Sequence, residues 1–562
     1  MFRENTSHRI QSLFDAVNQM PAIMRNRLEK SWAEVFYSEI FSEIDEHIFE
    51  VLYSKEYSRP NTPVNVLVGA ELLKAHYGWS DDELFQQCSF NLQVRYALGE
   101  RDFKGELFSE RTVYYFRRAL SCYMQAKGIN LMEKVFEQLT GEQLKRFAVK
   151  TGKQRMDSSF VSSNVRTYTR IQLLVEVVQR FYRELGEEDK KLHGDRFSSY
   201  VGKSSGKYCY RLTSDDAPRT LASLGKLMGW ILDTSASEWG DTVAFQLVER
   251  VFGEHFKITE EEIVAKSPEE LSASSLQSPD DWEATFRRKE DEGHHGYVFN
   301  VSETCQGGND LQLITDVSVF PNVTDDTELL EERLPLLAEK TDIDTLYTDG
   351  GYASEDNDSL EEEHHVNHIQ TAIKGRQPSN EKLQLKDFSI TPQAKGGDDS
   401  KREVTCPGGV TVAIVSGRKK ERWIAVFPLE ACSQCAMADR CCTQVRKKGF
   451  VLYFTTADER RARRRRSSEQ LAKEGKNPRA AIERTMGLFK HRLRHKKLPV
   501  RGILRVSQYV LATAMMINFR RIVAYYEQMD YMESSDSVFS FIGIINSVLN
   551  TLLALISPHI VV

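Results

Sequence analysis

The stretch "DTLYTDGGYAS", residues 344–354, decides the reading of this chain. An apolar-centred strand ends on Asp349 and two glycines follow at once, so a carboxylate is held at a strand tip where the backbone turns sharply. Taken alone, an Asp before Gly is usually a turn residue. What it does here depends on which acids the fold brings to it.

Two other acids stand in comparable settings. Asp157 lies in the strand-like run "RMDSSF", 155–160, and Glu483 lies in "NPRAAIERTMGLFKHRL", 477–493, a helix that Pro478 opens at or near its first turn. Each has an ordinary reading as well, the Asp as a cap and the Glu as half of a solvated pair with Arg. Three carboxylates so far apart in sequence meet only through the fold. Together they suit two Mg²⁺ or Mn²⁺ ions roughly 3.5–4 Å apart, a pair that performs in-line attack on a phosphodiester.

The chain has 562 residues, too many for one compact core, and its apolar and charged fractions are those of a globular protein. The net charge of -6 hides an asymmetry, because residues 440–505 carry 21 Lys and Arg against 5 Asp and Glu. One polyanion-binding stripe therefore sits on an otherwise acidic protein. The start, "MFRENTSHRIQSLF", has charges where a signal peptide needs an apolar core, and the nine cysteines are unevenly placed, four of them in 432–442, so a reducing, cytoplasmic setting is expected. Residues 538–562 are apolar enough in length to span a membrane, but their small polar residues share one helical face; a buried or partner-packed helix, and no membrane, is the expectation.

Along the chain, residues 8–56 read as helical. In "PVNVLVGAELLKAHYGWSDDELF", 63–85, one helix ends at Gly78 and another begins at Ser80, with Glu83 completing a capping box. A third follows Ser109 in "SERTVYYFRR", with Arg111, Arg117 and Arg118 along its exposed side. Three short helices with a basic last one fit a helix-turn-helix-like DNA module, as they fit many small helical domains. Strand-like segments then begin at 153, 296, 311, 345 and 366, with the helix "DDTELLEERLPLLAEK", 325–340, between the third and fourth, and a long helical stretch over 166–290 between the first two. This predicts a mixed sheet with a crossover, and the helix carrying Glu483 lying against it. Residues 376–475 read as turn-linked strands in an inserted β-rich, Cys-containing subdomain.

With these motifs in place, the sequence resembles the DDE transposases of bacterial insertion sequences. The resemblance covers nearly the whole chain: the front helices, "RMDSSFVSSN", "GYVFNVSET" with "LITDVSVFPNVTDD", "LYTDGGYAS" and "RAAIERTMGLFKHRL". It implies an RNase H-like α/β core, a mixed sheet flanked by helices, with an insertion before the last acid and an all-α N-terminal domain. It makes Asp157, Asp349 and Glu483 the metal-binding catalytic triad and gives Arg479 and Lys490 the task of gripping phosphates of the element end. The family signature Tyr-x2-Arg-x3-Glu-x6-Lys is matched at Arg479, Glu483 and Lys490, while Lys476 stands where the tyrosine would be.

The stripe "ERRARRRR", 459–466, continues through "KHRLRHKK", 490–497, and flanks the third acid; Arg463, Arg464, Arg465 and Arg466 are the expected sequence-independent DNA contacts. Trp423 is a candidate stacking platform for a flipped base, although a strand tryptophan is more often core. Cys406, Cys432, Cys435 and Cys441 or Cys442 could supply four thiolates to one structural zinc, or remain free thiols.

The expected organisation is a helical DNA-binding domain over 1–145, the first part of the core over 146–375, the inserted subdomain over 376–475, the rest of the core over 476–530, and an apolar helix over 531–562. The expected function is a transposase that binds element ends, cuts DNA with divalent metal and joins the freed end to target DNA, acting as a homodimer. The alternatives are an RNase H-like nuclease that does not join, and a transposase-derived DNA-binding protein that has lost catalysis.

Overall fold

The computed structural model describes the chain outside residues 11–14, 56–58, 103–104, 261, 290, 373–380, 392–401, 418–420, 476, 494–496 and 557–562, with side chains as far as residue 529. The N-terminal region contains α1 (Ala22–Glu29), α2 (Trp32–Glu39), α3 (Val64–Tyr77), α4 (Asp81–Phe90), α5 (Leu92–Ala97), α6 (Glu110–Lys127) and α7 (Leu131–Arg146). The punctuation is local chemistry. Gly78 closes α3 in the left-handed conformation at φ 67°, and Ser80 with Glu83 forms a complete capping box on α4. Ser109 caps α6 by accepting from the Thr112 N–H. The short α5 interrupts the expected run of three helices, because the Asn91 side chain accepts from two backbone N–H groups and restarts the chain as a new helix.

Next come β1 (Lys153–Ser162), helices α8 (Arg170–Glu184), α9 (Glu187–Phe197), α10 (Ser205–Cys209), α11 (Ala217–Trp239) and α12 (Val243–His255), and then strands β2 (Phe256–Thr259), β3 (Glu262–Ala265) and β4 (Thr285–Lys289). The stretch 166–290 is therefore not helical throughout. Strands β2 and β3 form a hairpin that lies on the glycine face of α11; a Cβ on Gly225 would meet Phe256 at 2.8 Å, and one on Gly229 would meet Ile263 at 2.4 Å. The helices and this hairpin share a core of their own around Leu174, Phe181, Leu224, Met228 and Val248.

The central sheet is completed by β5 (Glu292–Thr304), β6 (Ile314–Pro321), β7 (Thr345–Thr348) and β8 (Asn367–Gln370), with α13 (Asp326–Lys340) and α14 (Glu355–Glu363) as its crossovers. Strand β5 runs antiparallel to β1, β4 and β6, whereas β1, β7 and β8 are parallel. Residues 389–455 build a second, antiparallel sheet from β9 (Ser389–Ile390), β10 (Glu403–Thr405), β11 (Thr411–Ser416), β12 (Arg422–Phe427), β13 (Gln444–Arg446) and β14 (Gly449–Thr455), with the short α15 (Leu429–Ser433) between β12 and β13. It has a separate small core around Phe388, Ile414, Ala425 and Phe454.

The chain ends in α16 (Thr456–Lys473), α17 (Ala480–Lys490) and α18 (Ile503–Ile556). Sequence composition separates 531–562 from what precedes it, but the backbone runs through 530 as one helix. Among the described residues, no helix is long and apolar enough to cross a membrane. Helix α18 packs on α3, α7 and β6, so the front helices, the sheet and α17 share one continuous core that includes Phe36, Leu72, Phe299, Ile482 and Met515.

Candidate active site

Strands β1 and β7 set the first two acids side by side. Their parallel register pairs Arg155 with Tyr347, and extending it by two residues sets Asp349, just past the end of β7, beside Asp157 in the middle of β1. Asp349 does the turn work its sequence suggests, because its Oδ1 accepts the Gly351 N–H at 2.7 Å. It also faces Asp157: burial pushes the Asp157 carboxyl above its usual range against the pull of Arg479, and the charge of Asp349 adds to the rise.

Helix α17 lies against β1 and brings the third acid. Arg479, at its N-cap, places Nη2 3.0 Å from Asp157 Oδ2 and Nη1 3.4 Å from Glu483 Oε1. Burial works against the guanidinium charge, but Asp157, Asp349 and Glu483 together raise its pKa. Two of the acids thus pair with this cation directly, and the third adds to its stabilisation through its charge. Glu483 itself is well exposed, with 66% of its side chain open to solvent, whereas Asp157 is buried. Lys490, at the far end of α17, donates to Ser159 Oγ at 2.6 Å, two residues along β1 from Asp157.

The acids are gathered around the arginine rather than closed into a cage. Among the described residues, no group of three or more His, Cys, Asp or Glu stands as a metal-holding set. The donor chemistry nonetheless fits hard divalent cations: carboxylate oxygens, one of them at the solvent edge, in a place where positive charge is already stabilised.

The site has members that sequence reasoning missed. Asp326, in the first turn of α13, accepts from Ser158 Oγ at 2.6 Å. Tyr352 is fully buried and donates to Asn300 Oδ1 at 2.9 Å; burial and then the charges of Asp326, Asp157 and Asp349 hold its hydroxyl well above the usual range. Its position three residues after Asp349 was the one available signal.

Several members of the arginine stripe have partners within the fold. Arg464 is paired with the buried Asp358 of α14, and Arg465 Nη1 donates to Gln384 at 3.1 Å. Arg460 and Arg463 both approach Glu362, at 3.7 and 3.8 Å, while Glu459 pairs with Arg402 at 2.5 Å. Much of the run therefore docks α16 onto α14 and the second sheet. Arg463 keeps 58% of its side chain exposed, and Arg466 is half-buried. In the front region Arg117 is taken up by Glu71 and Asp81, Arg111 donates to the Tyr115 hydroxyl at 2.7 Å, and Arg118 is exposed. Trp423 is buried, with its Nε1 on Thr456 at 3.1 Å and the Arg402 guanidinium 4.6 Å over its ring, so it is not a free stacking surface. Lys476 and residues 494–496 lie outside the described residues.

Cys406, Cys432, Cys435 and Cys441 line one apolar cavity in the second sheet, and all nine cysteines are free thiols. A Cβ on Gly408 would lie 3.5 Å from Cys435 Sγ and 3.6 Å from Cys406 Sγ, so both sulfurs lie beside this glycine. The Met437 N–H reaches Cys435 Sγ at 3.5 Å, and the Thr443 hydroxyl reaches Cys441 Sγ at 3.2 Å. Burial, then Cys406, Cys441 and Cys435, push the Cys432 thiol up. Cys442 is not among the residues lining the cavity.

Two family models match the chain. Residues 405–523 match a "Transposase DDE domain", which contains Arg479, Glu483, Lys490 and the four cavity cysteines, and residues 25–119 match a "Transposase domain (DUF772)", which runs from within α1 to about the middle of α6. The pair indicates a DDE transposase of the insertion-sequence type, and a DDE domain implies a nuclease or transposase enzyme in general. No curated protein and no solved structure matches the chain.

Proposed function

We propose that this chain binds the ends of an insertion sequence, cuts the DNA there and joins the freed 3′ end to a target, with Asp157, Asp349 and Glu483 as the catalytic acids. The observation that carries the reading is the Arg479 guanidinium, which pairs with Asp157 and Glu483 and is stabilised by Asp349 as well. The strand order β6–β5–β1–β7–β8, with three parallel strands after an antiparallel hairpin, supports an RNase H-like core. Residues 146–375 form its first part with the helical insertion, 376–475 an inserted subdomain, and 476–530 the return to the core.

Asp157, Asp349 and Glu483 would hold two Mg²⁺ or Mn²⁺ ions, which supply activation of the attacking oxygen and charge neutralisation at the leaving oxygen. The chain's own residues do the rest. Arg479 and Lys490 flank the site on one helix, within reach of a DNA strand lying along it, and offer cations to its phosphates. Arg479 can pair with the carboxylates, as in this structure, or with a phosphate, so bound DNA competes for it. Front-region side chains such as Arg111 and Arg118, within 1–145, would recognise the ends, while Arg463 adds backbone contact that reads no sequence. Two copies would hold the two ends in one complex acting in the cytoplasm, and the apolar stretch 531–562 would pack on a partner chain.

We also propose that Cys406, Cys432, Cys435 and Cys441, which line one cavity without standing as a metal-holding set in this structure, would close on one structural zinc, whose four thiolate ligands would leave no open position for chemistry. It would supply the small second sheet with a staple that its limited core lacks.

A strand-transfer assay with and without Mg²⁺, on DNA carrying the gene and its flanks, tests the function. Joined products support the proposal; cleavage without joining would make the protein a nuclease, and binding alone would make it a DNA-binding relic.

A further inference from the structure

Beneath the acids lies a second charged cluster that the proposed chemistry does not use. Glu303, on β5, is completely buried. Its Oε1 accepts from Arg155 Nε at 2.7 Å, and its Oε2 accepts from Thr485 Oγ1 at 2.9 Å and from Arg521 Nη2 at 2.5 Å. Arg521 Nη2 also donates to Thr485 Oγ1 at 2.7 Å, and Arg155 Nη1 donates to the Pro478 carbonyl at 2.8 Å. The β5–β6 ladder shifts register between Ser302 and Glu303, a bulge of the kind that re-aims a side chain.

The sequence positions of these partners matter. Arg155 precedes Asp157 by two residues on the same strand, so both side chains leave the same face of β1. Thr485 follows Glu483 by two residues on α17, which points it away from Glu483, into the core, where it is 2% exposed. Pro478 is the residue before Arg479. One carboxylate thus ties the strand that carries the first acid to both ends of the turn that carries the third acid and its arginine, and Arg521 anchors the whole to α18.

We propose that Glu303 is a positioning residue, which with Arg155, Thr485 and Arg521 fixes the separation between Glu483 and Asp157. The inference rests on the triad assigned above. Glu303 touches neither DNA nor reacting atoms, and a buried carboxylate between two arginines is an arrangement that tolerates little movement, because losing any partner leaves charge unpaired. A shift of α17 by a fraction of an ångström would move Glu483 while leaving Asp157 and Asp349 in place.

The test uses the full-length protein and two readouts, Mn²⁺ binding followed by electron paramagnetic resonance and nicking of a supercoiled plasmid that carries the gene with its flanking DNA. Glu303→Gln is informative only with its melting curve, so Thr485→Val is the working variant: it is near-isosteric and removes the hydroxyl. Thr485→Val is expected to weaken Mn²⁺ binding and slow nicking by about 10-fold, the lower end for supporting groups around metal ligands. Plasmid binding should be unchanged, and Thr485→Ser should restore both. Wild-type Mn²⁺ affinity in Thr485→Val, or failure of Thr485→Ser to rescue, would overturn the proposal. Asp157→Asn run in parallel separates the two levels: if it still nicks, the triad is wrong, whereas if it is dead and Thr485→Val is normal, only the positioning role is wrong.

Discussion

Arg479 Nη2 sits 3.0 Å from Asp157 Oδ2, joining residues 322 positions apart in sequence. That contact links the start of α17 to the sheet, and it places a cation among acids that would otherwise repel one another. Arg479→Ala should therefore have two effects. DNA binding should weaken, and Asp157 should lose its main counter-charge, so the variant should melt lower while its dependence on divalent ions for stability grows. Melting with and without Mg²⁺ checks this; equal Mg²⁺ stabilisation of variant and wild type would contradict it.

The arginine run should divide by position. Arg464→Ala strands the buried Asp358 carboxylate and should destabilise the protein by about 3 kcal/mol. Arg463→Ala, at an exposed site, should stay within about 0.5 kcal/mol in stability and instead weaken binding to element-end and unrelated DNA alike. Chemical denaturation and a salt series on both variants decide this, and a stability loss for Arg463→Ala as large as that for Arg464→Ala would refute the division.

The cysteine cavity predicts about one zinc per chain by elemental analysis, lost together with Cys435→Ser. Chelation should lower the melting point, since the metal acts by binding the folded form alone. Purified protein with no zinc and readily titrated thiols at 406, 432, 435 and 441 would leave the cavity as plain packing.

Acid should weaken the front helices through Asp81. Burial alone would raise its carboxyl, but Arg117 and Lys74 win and hold it at about 2. A carboxyl depressed from about 3.9 in the unfolded chain contributes stability that is complete above that value and disappears as pH falls through the folded one. The contribution is about 2 kcal/mol at neutral pH, and denaturation of wild type and Asp81→Asn at pH 7 and pH 3 should show the difference between them shrinking at the lower pH. A constant difference would mean that the ion pair is not the cause.

What was legible is written in local chemistry: a carboxylate before two glycines, a proline just ahead of the helix of Glu483, and, in the front helices, the caps at Ser80 and Ser109. What escaped notice depends on tertiary pairing. Nothing local marks Glu303 as the centre of a four-residue cluster, since its partners come from β1, α17 and α18. The partners of the arginine run were hidden for a related reason. Charge density along a chain does not say which side chains find acids across the fold, and Asp358 and Glu362 lie about a hundred residues upstream. The hairpin over 256–265 was hidden by its length, two short strands whose packing surface is the glycine face of α11.

The central claim is that Asp349 and Glu483 act on metal and not on fold or on DNA recognition, and Asp349→Asn and Glu483→Gln test it most directly. Binding to DNA carrying the element ends and Mg²⁺-dependent nicking are measured side by side, with circular dichroism as the folding control. Both variants should give native spectra, near wild-type binding and nicking reduced at least ~100-fold, beyond the loss expected for residues that merely support metal ligands. Nicking near wild-type levels in either variant would show that its carboxylate is only a turn or surface residue and would contradict the account.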